Sequence, residues 1–116
     1  MKLYVINKLN EYFPELYNDI NEYINDYDDI YLHLKFGDIM NQYLLDLLND
    51  SHSNFSKLLR MAELIESMSC MDIDIQEVVS TTVLERLFSE NKMTLFLDFA
   101  GTNTIKLIDD VRKLFK

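Results

Sequence analysis

The sequence predicts an all-α protein, a compact bundle of six or seven short antiparallel helices. Three observations predict it. Glycine occurs only at Gly37 and Gly101 and proline only at Pro14, too few breakers for the frequent turns of an all-β chain. Apolar residues recur at spacings of three and four through most of the chain. The polar stretches between these runs are short, and short connections make consecutive helices antiparallel. With 116 residues, 48% of them hydrophobic, the chain can build one core and reads as a single domain over 1–116.

The first predicted helix is 2–12, with Val5, Ile6, Leu9 and then Phe13 at helical spacing. Pro14 cannot continue it but suits a first turn, so a second helix runs from 14 to 27. Leu16, Ile20, Tyr23, Ile24 and Tyr27 give that helix its apolar stripe. Residues 28–34, DDIYLHL, alternate weakly and read as an extended connection. A third helix over 36–48 turns Ile39, Met40, Tyr43, Leu44, Leu47 and Leu48 inward. Ser53 or Asn54 caps a fourth helix at 54–68, packed through Phe55, Leu58, Leu59, Ala62, Leu64 and Ile65. Asp74 and Glu77 form a capping box for a fifth at 75–88. A short helix at 91–99 stops at Gly101, and a last one covers 103–115.

Several function classes are excluded by composition or missing patterns. No run of about 18 apolar residues exists to span a membrane. The opening MKLYVINKLNEYF lacks a signal peptide's cleavage pattern, and a cytoplasmic location is expected. Cys70 is a lone cysteine between Met68 and Met71 and reads as a small buried hydrophobe. Asp26, Asp28 and Asp29 resemble the start of a calcium loop. Tyr31 stands where its glycine belongs, and Phe36 and Gly37 where its terminal glutamate belongs. His33 and His52 have no zinc-ligand spacing to Cys70. With no nucleophile elbow and no phosphate loop, neither an enzyme activity nor a metal or cofactor is expected.

What remains is charge. The net charge is −9, and residues 1–50 hold ten carboxylates against three lysines, a balance of −7. Between Lys8 and Lys35 there is no positive residue, but seven carboxylates and five of the seven tyrosines. On a helical wheel Glu15, Asp19, Glu22 and Asp26 fall within about 60° of one another. Like charges at this spacing repel by roughly 0.2–0.5 kcal/mol per pair, and a face chosen for solubility alone intersperses lysines. The row, continued by Asp28 and Asp29 and accompanied by Tyr17, Tyr27 and Tyr31, is the candidate binding surface for a basic protein. Nucleic acid and anionic membranes are disfavoured as direct ligands on the same ground.

Two stretches carry a family likeness: LHLKFGDIMNQYLLDLL, and LLRMAELIESM followed by DIQEVVSTTVLERLF. They resemble small helical bacterial domains with a short glutamate-bearing helix, here Glu63 or Glu66. A helix follows that carries Val79, Leu84, Glu85 and Leu87. Together with its size and acidity, the chain is similar to immunity proteins of polymorphic toxin and contact-dependent inhibition systems. The resemblance implies a protein that binds and neutralises a cognate, basic toxin domain such as a nuclease, with no catalytic residues. A general helical adaptor, and a DNA mimic that occupies a nucleic-acid-binding enzyme, stand as alternatives.

Overall fold

The chain bends where proline forces it to. Helix α1 (Lys2–Tyr12) ends as Phe13 donates its N–H to the Leu9 carbonyl, 2.7 Å away. Pro14, which has no N–H to donate, opens α2 (Pro14–Asn21), and Phe13 fills the corner fully buried. The computed structural model describes residues 2–21 and 29–115. The expected second helix therefore stands as far as Asn21, and its stretch over 22–27 lies outside the described residues.

Residues 28–34 do not form the extended connection that their alternation suggests. From Asp29 onward they belong to α3 (Asp29–Leu48), a 20-residue helix. Ile30 and Leu34 stand four apart with no breaker between them, so the weak alternation also fits a helix. The turn into α4 (Phe55–Ser69) closes on α3. Asn54 precedes the helix but does not cap it with its side chain. Its Nδ2 instead donates back to the carbonyls of Leu47 and Asp50, at 3.3 and 3.0 Å, satisfying groups at the end of α3.

Helix α5 begins at Ile73, two residues earlier than the Asp74–Glu77 box implies. Asp72 is the cap: it is extended, and its Oδ1 accepts from the Ile75 N–H at 3.2 Å. Asp74 sits inside the first turn, where a carboxylate favours the dipole. The helix runs through Ile73–Val78, widens into a π turn at Val79–Leu84, and resumes over Glu85–Ser89. A packing reason for the π turn is visible in the sequence. Ile75, Val79, Val83 and Leu87 are all buried at a strict four-residue period. An α-helix advances 100° per residue, so such a row drifts by about 120° over its three steps. The wider π turn takes more residues per revolution and unwinds that drift, which keeps the row on one core.

The end of α5 is a Schellman motif. Lys92 donates its N–H to Leu87 and Asn91 to Phe88, with Asn91 in the left-handed region at φ 58. Asn91 thus stops a helix rather than starting one. The short helix α6 is Met93–Leu97, and α7 is Thr102–Arg112, followed by a 3-10 turn at Lys113–Phe115. The described residues form seven helices and no strand, an all-α bundle. Every helix contributes to a single core, from Ile6 and Leu9 through Leu44, Leu58, Val83 and Phe96 to Ile108 and Val111. No helix among the described residues is long and apolar enough to cross a membrane.

Three core assignments are corrected. Phe55 is 56% and Leu59 42% exposed, because they lie on the shoulder of α4 rather than on its buried stripe. Cys70 is exposed, since it caps the C-terminus of α4 beyond that stripe, and its thiol donates to the Ser67 carbonyl.

The π turn is held to α3 at close range. Gly37 faces Thr82 so tightly that a Cβ there would collide with the threonine side chain. One turn on, the fully buried Asn41 donates Nδ2 to the carbonyls of Thr82 and Val83, at 3.1 and 3.2 Å. Its Oδ1 has no partner among the described residues. The amide adds two donor contacts to carbonyls of the π turn from a neighbouring helix. Asn41→Ala leaves both without this donor and should cost about 1–3 kcal/mol, read as a lower urea midpoint with unchanged slope.

Candidate functional site

One face of α4 organises the surface. At 100° per residue, Phe55, Leu59, Ala62, Glu63 and Glu66 fall within about 100° of one another. The N-terminal half of this face is apolar and the C-terminal half acidic. Opposite it stands the connection between α6 and α7, residues 98–101. Phe99 reaches back to Phe55, with ring centroids 5.5 Å apart and planes tilted by 59°.

The connection is held in place by Glu66. Gly101 is the N-cap residue of α7 and has no side chain to offer the first turn. Glu66 supplies the cap from another helix. Its Oε1 accepts from the N–H and hydroxyl of Thr104, both at 2.9 Å. Its Oε2 accepts from the N–H and side-chain amide of Asn103, at 3.0 and 2.8 Å. A Cβ on Gly101 would fall 2.5 Å from Oε1, so the glycine makes room for the carboxylate. Gly101 therefore starts a helix rather than stopping one. Burial pushes the Glu66 carboxyl up, but the four donors outweigh it and hold its pKa below the usual 4.5.

Between α4 and this connection lies an open groove of about 360 Å³. Tyr12, Leu59 and Phe99 form its larger walls, and Ala62, Ser67 and Gly101 leave the space by being small. Glu63 and Glu66 add two carboxylates to the lining. The cations of α4, Lys57 and Arg60, serve the other side. Arg60 donates to the Tyr12 carbonyl at 3.2 Å and lies over the Phe13 ring at 5.1 Å. Lys8 stands 5.9 Å from the ring centroid of Tyr12, the α1 residue of the lining. A second groove, of about 490 Å³ beside the π turn, is lined by polar and charged residues, Asp38, Thr81, Thr82, Glu85 and Arg86 among them.

The acidic row predicted from sequence is only partly within view. Glu15 is exposed in the first turn of α2 and accepts a 2.8 Å hydrogen bond from the Tyr43 hydroxyl. Its pKa is lowered by its own backbone N–H, by Tyr43 and by the charges of Arg60 and Lys57, against the opposing effect of burial. Burial and the same carboxylate push the Tyr43 hydroxyl up to about 12. Glu15 is thus already engaged within the chain. Glu22, Asp26, Tyr27 and Asp28 lie outside the described residues. Tyr17 and Asp19 belong to α2, and Asp29 and Tyr31 to α3, but their side chains also fall outside the description. No group of three or more histidine, cysteine or carboxylate side chains among the described residues suits a metal ion.

Sequence reasoning missed the groove. Its signal was available in part: Phe55, Leu59, Glu63 and Glu66 share one helical shoulder in which apolar and acidic residues mix, unlike the uniform stripe of Leu58, Met61, Ile65 and Met68. The Glu66 cap carries an acid sensitivity. The carboxylate is favoured in the folded state, so its stabilisation is present above pH 4.5 and is lost as pH falls through the lowered value. Glu66→Gln should lower stability at pH 7 by roughly 1–2 kcal/mol and flatten the loss of stability below pH 4.5, measured as urea midpoints across pH.

No curated protein and no solved structure matches the chain. A family profile covers residues 6–115, nearly the whole sequence, and by it the chain belongs to DUF7674, a domain of unknown function.

Proposed function

We propose that this chain is an immunity protein that binds and neutralises a basic bacterial toxin domain, a nuclease or another toxin directed at nucleic acid. The observation that carries the reading is the segregated charge. Seven carboxylates and five tyrosines occupy the segment between Lys8 and Lys35 without one cation among them. Such a surface complements the positive groove with which a nuclease holds phosphates. Charge of this kind speeds encounter, and buried aromatic contacts slow release. The resemblance of the 32–48, 58–68 and 74–88 stretches to immunity proteins supports the same reading.

The runner-up is a general helical adaptor, favoured by the open groove beside Leu59 and Phe99, which suits a protein partner irrespective of toxin neutralisation. Capture from the native lysate at low salt, followed by rising salt, separates the two. A single stoichiometric basic toxin-like domain that resists salt supports neutralisation, and a spread of salt-labile basic proteins overturns it. With the captured domain in hand, the double variant Asp19→Lys, Glu22→Lys should slow association about tenfold at low salt and flatten its salt dependence, by stopped-flow or surface plasmon resonance. Unchanged rates would remove the acidic row from the interface.

A further inference from the structure

We propose that the groove between α4 and the α6–α7 connection takes a basic amphipathic helix of the partner protein. The proposal rests on the reading that the partner is basic, and it assigns that partner a contact in addition to the acidic row. The groove's composition selects the occupant. Leu59, in the lining, is left 42% exposed, and Phe55, 56% exposed, does not line the groove but packs its ring against Phe99, which does. Their burial by a partner's apolar residue is favourable at about 25 cal/mol per Å². One helical turn further along the same face, about 6 Å away, comes the exposed carboxylate of Glu63.

Charge complementarity decides between occupants. The lining holds two carboxylates, Glu63 and Glu66, while Lys57 and Arg60 of the same helix serve the Glu15 and Phe13 side. The lining itself holds no lysine or arginine. The Glu66 oxygens are taken up by Asn103 and Thr104, so Glu66 contributes field and Glu63 contributes free acceptors. A second copy of this chain, at net charge −9, is repelled by that field. A helix carrying leucine-like anchors and, one turn on, a lysine or arginine matches both halves of the face at the same spacing.

The test uses three fluorescein-labelled synthetic helices of about 14 residues with the full-length protein. One is Leu/Lys at amphipathic spacing, one Leu/Glu, and one Ser/Lys. Fluorescence anisotropy gives affinity, and amide chemical shifts from labelled protein give location. The Leu/Lys helix should bind about tenfold tighter than either control, with shifts concentrated at Leu59, Ala62, Glu63, Ser67 and Phe99. Leu59→Ser and, separately, Glu63→Lys should each weaken it several-fold, while Asp19→Lys with Glu22→Lys leaves it unchanged. Both groove positions are exposed, and an unchanged melting curve certifies the fold of each variant. Tight Leu/Lys binding with shifts confined to α1 and α2, or indifference to both groove variants, overturns the groove assignment and leaves the basic-partner reading standing. Equal affinity for the Leu/Lys and Leu/Glu helices overturns both.

Discussion

The carboxylate of Glu66 fixes the relation between the two halves of the surface. It does for α7 what a serine or aspartate normally does from the preceding residue, and it does so across 37 residues of sequence. The consequence is structural rather than local. Capping α7 from α4 places the connecting residues, with Phe99 and Gly101, against the shoulder of α4 and defines the groove's far wall. A negative charge at that helix start also meets the partial positive charge of the exposed N–H groups, so cap and dipole reinforce one another. The fully buried Thr104 completes the joint, with Ser69 Oγ 3.1 Å from its hydroxyl.

Charge on α4 is divided by face. Lys57 and Arg60 lie toward α1 and α2, where Arg60 ties the end of α1 and both lower the pKa of Glu15. Glu63 and Glu66 lie toward the α6–α7 connection. One helix therefore joins an internally compensated side to an uncompensated one. In a chain whose first half is already strongly acidic in sequence, the groove of α4 adds two carboxylates from the second half.

Much of the fold was legible because periodicity and breakers are local signals. Pro14 and the Val5–Leu9–Phe13 spacing marked α1 and the start of α2, and Leu58, Ala62, Leu64 and Ile65 marked the core side of α4. Periodicity separates apolar from polar, but it does not say which apolar residues find a cover, so Phe55 and Leu59 read as core. Two aspartates two residues apart compete to start α5, and only the extended backbone at Asp72 decides. Gly101 reads equally as an end or a beginning until Glu66 arrives from another helix. The groove needed that same long-range contact, which no window of sequence contains. The acidic row, by contrast, was plain in sequence, and the structure adds that its Glu15 end is tied to Tyr43.

The π turn in α5 has an implication for how this family can vary. It accommodates more residues per revolution than an α-helix, so the two ends of α5 are out of phase with an uninterrupted rod by about one residue. Asn41, buried in the core, donates to two carbonyls of this bulge. Insertion and amide are thus two halves of one evolutionary unit. A homologue one residue shorter in this segment loses the reason to bury an asparagine on α3, and should carry an aliphatic residue there. A homologue that keeps the length should keep the amide.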